Sequence, residues 1–157
     1  MLISVDPGLR ACGVAAFADQ RLLWAGYVKN PDEARWRSMV HAVDRAVSER
    51  CLASPSDLAI EIPQIYVQSR WKGDQNDIVM LAGLVGAFVY FFGGRGGSKI
   101  YRPAEWKGQV TKEITELRVK KRLFTEELAK VVLPPAKSLM HNVWDAIGLG
   151  LHHLDRN

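Results

Sequence analysis

The sequence predicts an α/β protein on one mixed five-stranded sheet, three strands antiparallel and two parallel, flanked by helices. Three observations predict it. The chain opens with three short β-rich runs, residues 1–5, 12–17 and 22–28, separated by turn-forming segments. Beyond residue 31 the apolar spacing becomes helical. Two further strand-like runs, 57–62 and 98–101, then alternate with helical ones, and crossovers of that kind give parallel strands.

The elements follow in order. Strand one stops at Asp6-Pro7-Gly8, a turn signature. The second and third runs are split by Ala18-Asp19-Gln20, which predicts an antiparallel meander. Trp36, Met39, Val40, Val43, Ala46, Val47 and Cys51 recur at helical spacing, and Pro31-Asp32-Glu33 is an acidic start suited to a helix N-terminus. Residues 57–62 alternate and end at Pro63, which makes a fourth strand, parallel to the first. The polar loop YVQSRWKGDQND comes next, then an apolar helix from about residue 77 to 92. After the glycine-rich GGRGG come the fifth strand and the polar connection RPAEWKGQVTKE. Residues 115–132 are predicted as one helix carrying RVKKR and broken by Pro134-Pro135; a last helix spans about 138–154. No repeat, linker or low-complexity tail interrupts residues 1–157, so one domain is expected.

The bulk properties narrow the function. The chain has 157 residues, 48% hydrophobic and 24% charged, with a net charge of +4 and a pI near 9.2. That excess is compatible with a nucleic-acid partner without demanding one. Two cysteines, Cys12 and Cys51, without paired spacing argue against a disulfide scaffold and a cysteine-ligated zinc, and for a reducing compartment. MLISVDPGLR lacks the pattern of a signal peptide. The uncharged run 78–94 is short and glycine-interrupted for a membrane span, which favours a buried helix.

Three carboxylates stand out. Asp6 closes the first strand, where Leu2, Ser4 and Asp6 share one face. Glu61 lies near the end of the fourth. If those strands are parallel neighbours, both acids emerge at the carboxyl edge of the sheet, where open α/β sheets place their sites. Asp145 sits inside the apolar stretch HNVWDAIGLG, one turn after His141, while Gly148 and Gly150 would let that helix approach the sheet. Converging acids repel: two about 4 Å apart cost roughly 4 kcal/mol at an effective dielectric of 20. Hard divalent cations remove that cost, and carboxylates with water and phosphate oxygens are the usual magnesium ligands. Singly, Asp6 reads as a turn residue, Glu61 as half of an ion pair and Asp145 as a cap; the three together read as a site.

VDPGLRACGVA with a following hairpin, then IEIPQIY, a glycine-bearing apolar helix and WDAIGLGLHH are motifs in an order that resembles the RuvC-type Holliday junction resolvases. These are RNase H-like nucleases, with phage-encoded members, and the resemblance spans essentially the whole chain. It implies an RNase H-like fold and metal ligands at Asp6, Glu61 and Asp145. The family's fourth ligand, usually an Asp, falls on Asn142 at a spacing of three before Asp145 or on His141 at four. This sequence departs from the usual acid at either. Neutral imidazole is the better donor and handles a proton, which favours His141.

The resemblance further implies two magnesium or manganese ions per site and 5′-phosphate products. It implies paired symmetric nicks by a homodimer and a location in the cytoplasm of a bacterial or phage-infected cell. The helix carrying Ala82, Gly83, Gly86 and Ala87, flanked by Leu84, Phe88 and Phe91, is a candidate dimer interface and equally a buried core helix. Branched DNA is the expected partner. Tyr66, Arg70, Trp71 and Lys72 follow Glu61 and combine stacking surfaces with charges for phosphates; Lys107 and Lys112 are further phosphate candidates. Tyr66 resembles the family's junction wedge at a longer spacing. Arg118, Lys120, Lys121 and Arg122 read more readily as a solvated helix face.

Three rivals share parts of this pattern. An RNase H-like nuclease acting on RNA–DNA hybrids or flaps would have nearly the same acids. An ATP-binding domain of the actin and sugar-kinase superfold needs a second half, for which 157 residues leave no space. A non-catalytic junction binder would bind without cutting.

Overall fold

The computed structural model describes residues 1–32, 35–51, 55–64, 74–93 and 96–156. Strands β1 (Leu2–Asp6), β2 (Ala11–Ala18) and β3 (Arg21–Lys29) form the antiparallel meander. The β2–β3 turn is Asp19-Gln20, both at positive φ (46° and 63°), the backbone that matches the twist of a two-residue hairpin and that Asp tolerates.

Helix α1 (Trp36–Cys51) leads to β4 (Asp57–Glu61), which pairs parallel to β1 with Val5 opposite Ile60. Helix α2 (Gln75–Gly93) leads to β5 (Gly97–Tyr101), parallel to β4. The C-terminal third holds α3 (Pro103–Trp106), α4 (Lys112–Arg122), α5 (Thr125–Leu128), β6 (Val131–Val132) and α6 (Lys137–His153). The sheet order is β5-β4-β1-β2-β3-β6.

Strand alternation sorts the core into two layers. Ile3, Val5, Leu58 and Ile60 face α1 and α2, where Val43, Val47, Phe88 and Phe92 pack against them. Leu2, Ala15, Phe17 and Ala59 face α6, against Val143, Ile147 and Leu151, with Val119 of α4 behind. Burying side chains of this size contributes about 1.5–3 kcal/mol each. Asp6 and Glu61 continue the alternation of Leu2-Ser4 and Ala59, so both emerge on the α6 side.

Three expectations need correction. The sheet has six strands among the described residues, because β6 adds parallel to β3 at the far edge. The single helix expected over 115–132 is instead α4, a break, α5 and β6. Leu123 turns inward and is buried. Its backbone and that of Phe124 are extended, with ψ of 142° and 160°. What holds the break is tertiary. The buried Glu127 carboxylate accepts hydrogen bonds from the amides of Leu22 (2.8 Å) and Phe124 (2.9 Å) and pairs with Arg156. Burial opposes ionising Glu127, but Arg156 and those two amides outweigh it and hold its pKa at about 2. Finally, α1 begins at Trp36, so the acidic Pro31-Asp32 precedes the helix, and Asp32 instead pairs with Arg35 at 3.2 Å.

Helix α2 is long and apolar enough over Asn76–Gly93 to cross a membrane by length and composition, with a mean hydropathy of 1.6. Its Leu84, Val85, Phe88 and Phe92 are buried against the sheet and α1.

Candidate active site

The parallel pairing of β1 with β4 carries Asp6 and Glu61 to the same edge of the sheet. Helix α6 supplies the third acid. Its backbone lies directly on β2: a Cβ on Gly13, the residue opposite Asp6, would fall 1.9 Å from the Asn142 carbonyl oxygen. Farther along, the Ser4 hydroxyl donates to the Ala146 carbonyl at 2.7 Å, and Gly150 lies against Phe17 and Ser4. Asp145 is thereby set beside the ends of β1 and β4. Gly148, expected to approach the sheet, instead makes room for the Trp106 ring and Val119.

Trp106 and Lys107 bring the second half of the site. The Trp106 indole donates to Glu61 Oε2 at 2.7 Å. The Lys107 ammonium donates to Asp145 Oδ2 at 2.8 Å and stands 3.1 Å from Glu61 Oε2. All three charged side chains are largely withdrawn from solvent: 20% exposed for Lys107, 14% for Glu61 and 9% for Asp145. Lys112 donates to His141 Nε2 at 3.0 Å. An ammonium has no lone pair, so Nε2 is the acceptor and the imidazole is neutral. Burial, and then Lys112, hold the His141 pKa below its ordinary value, which agrees.

The electrostatics are those of crowded acids. Burial, then Glu61, then Asp145 push the Asp6 pKa well above the usual carboxylate range. Burial also raises that of Glu61, despite Lys107 and the Trp106 hydrogen bond. Burial pulls Lys107 down, but Glu61, Asp145 and Asp6 outweigh it and keep the ammonium charged. The Asp6 carboxylate makes no hydrogen bond or ion pair among the described residues. Three carboxylates outnumber the two neighbouring ammonium groups, Lys107 and Lys112.

The donor chemistry therefore fits a hard divalent cation: carboxylate oxygens, one neutral imidazole nitrogen and a negative balance. Lys107 already places a cation between two of the acids. As arranged around that ammonium, no three His, Cys, Asp or Glu side chains among the described residues are grouped closely enough to hold a metal.

Of the residues singled out in the sequence, Asp6, Glu61, Asp145, His141, Lys107 and Lys112 meet here. Asn142 contributes its backbone to the contact with Gly13. Tyr66, Arg70, Trp71 and Lys72 lie outside the described residues. Trp106 was not anticipated, although a tryptophan stranded in an otherwise polar connection was a signal; Gly13 belonged to the quoted VDPGLRACGVA motif, but its contact with Asn142, 129 positions away, was not legible.

Helix α2 divides its small residues. Gly83 receives the Trp36 ring of α1, whereas Gly86 has open space above it. Val79, Ala82, Gly86 and Tyr90 form one exposed stripe at helical spacing, with Val79 69% and Tyr90 89% exposed.

Against solved structures, the chain is similar throughout its length to Holliday junction resolvases. Thermus thermophilus RuvC matches with 20% identity and a TM-score of 0.55, covering 99% of this chain and 96% of that one. The same organism's RuvC in complex with a Holliday junction substrate matches with 22% identity and a TM-score of 0.60, covering 98% and 91%. The Fowlpox virus resolvase in complex with substrate Holliday junction DNA matches with 15% identity and a TM-score of 0.59, covering 99% of each chain. No family model and no curated protein matches the sequence itself. What is shared is the fold, the RNase H-like arrangement expected from the sequence.

Proposed function

We propose that the protein is a metal-dependent endonuclease that resolves four-way DNA junctions by paired nicks. One observation carries the reading. Asp6, Glu61 and Asp145 crowd together, with His141 one turn away, at the carboxyl edge of a sheet whose fold is shared end to end with junction resolvases. An Asp6 carboxylate with no partner, beside two more acids, is costly unless a cation completes the site.

Asp6, Glu61 and Asp145 would supply the oxygen ligands and neutral His141 a nitrogen. Bound magnesium or manganese, two ions per site, would activate a water and stabilise the leaving 3′ oxygen, giving 5′-phosphate ends. Trp106 holds Glu61 in one orientation through its indole N–H. Lys107, between Glu61 and Asp145, and Lys112, beside His141, are cations that can meet backbone phosphates.

Two symmetric nicks call for two sites related by a two-fold axis, hence a homodimer. The exposed stripe Val79–Ala82–Gly86–Tyr90 supports α2 as the contact, since its small residues permit close helix approach.

Asp6→Asn tests the site. The variant is expected to bind a labelled four-way junction about as tightly as the unaltered protein in EDTA and to cut it at least about a thousand-fold more slowly with magnesium, of the order seen when a group made essential to the transition state is removed. Wild-type cutting by this variant contradicts the assignment.

A further inference from the structure

We propose that Lys107 is an exchangeable counter-ion: its ammonium fills the space between Glu61 and Asp145 in the metal-free protein and leaves it when a divalent cation binds. The inference rests on the metal-site reading above and names the residue that competes with the metal.

The geometry points to exchange rather than to a permanent ion pair. Lys107 Nζ stands 2.8 Å from Asp145 Oδ2 and 3.1 Å from Glu61 Oε2, the space between two of the proposed ligands. An ammonium and a dication cannot share it, because their repulsion carries twice the charge product of two ammonium ions at the same separation. The neighbouring residue makes the contrast. Trp106 also binds Glu61, but its indole is neutral and can stay when a cation arrives.

Lysine is built for leaving. Its charge sits on a flexible four-carbon stem. It projects from the residue that caps the C-terminus of α3, followed by Gly108 at a left-handed φ of 66°. Lys112 repeats the arrangement at the fourth proposed ligand, 3.0 Å from His141 Nε2. In the free protein each of these donors is therefore occupied by a lysine, except Asp6. Once displaced, the Lys107 ammonium is free for a DNA phosphate, which joins metal loading to substrate grip.

Calcium binding to the full chain without DNA, followed by calorimetry, tests this. Lys107→Met keeps the stem and removes the charge, and is expected to bind calcium about tenfold tighter or more. Lys107→Arg keeps the charge and is expected to bind no tighter than the unaltered protein. Equal or weaker calcium binding by Lys107→Met overturns the exchange while leaving the metal site standing. Undiminished binding by Asp6→Asn overturns the metal site itself, and this inference with it. A readout on the unaltered protein guards against misfolding of the variants. The Lys107 εCH2 NMR signal is expected to move toward that of a free lysine as calcium is added; a signal unmoved at saturation contradicts the proposal.

Discussion

Asp6 costs the metal-free protein stability at neutral pH. Its pKa is raised by burial and by two acidic neighbours, so the folded chain holds the Asp6 proton more tightly than the unfolded chain. That contribution is full below the ordinary carboxylate pKa, about 3.9, and is lost as the pH rises through the raised folded value. Asp6→Asn removes the cost. Without divalent cations the variant should melt about 2–4 °C above the unaltered protein near pH 7.5, an advantage that disappears near pH 4. Magnesium should then raise the melting temperature of the unaltered protein but not of the variant. Thermal scans at both pH values check this, and an equal or lower melting point for Asp6→Asn at pH 7.5 contradicts it. The three acids were legible in the sequence because alternation fixes which strand residues share a face and helical spacing ties His141 to Asp145. Lys107 was legible only as a phosphate candidate; its place between Glu61 and Asp145 was not, because it depends on contacts 46 and 38 positions away.

At the scale of elements, the site depends on how closely α6 lies on β2. Gly13→Ala would drive a methyl group into the Asn142 carbonyl, backbone against backbone, with no side chain able to yield. Overpacking of this kind costs about 1–3 kcal/mol. Because the contact lies opposite Asp6 and one turn before Asp145, magnesium affinity should fall as well. Gly150→Ala meets chiefly the Phe17 ring, so stability should fall but magnesium affinity much less. Calorimetry on the two variants separates these effects. For α2, Gly86→Glu places a charge in the exposed stripe without touching the core, and should convert a dimer to a monomer in analytical ultracentrifugation. A dimer that survives the change contradicts α2 as the interface. The apolar face of α2 was legible, but not the division between Gly83, filled by Trp36, and Gly86, left open. Nor was the break after α4. RVKKRLFTEELAKVV has no glycine or proline to stop a helix. The helix stops because Glu127 reaches Arg156 and the amide of Leu22, contacts 29 and 105 positions away.

For the whole molecule, the meander and the parallel pairing of the fourth strand with the first followed from the alternation of strand-like and helical segments, and that pairing brings the first strand's last acid beside the fourth strand's. The sixth strand escaped notice because two residues carry no periodicity, and pairing with β3 is what makes them a strand. A fold does not by itself fix a substrate, so substrate choice has to be measured directly. The deciding measurement is cleavage of a labelled immobile four-way junction beside matched duplex and RNA–DNA hybrid, each with magnesium, manganese or EDTA. Paired symmetric nicks in the junction, absent from duplex and hybrid and lost in EDTA, are the predicted result. Cutting of the hybrid in place of the junction, or tight junction binding with no cutting under either metal, would contradict it.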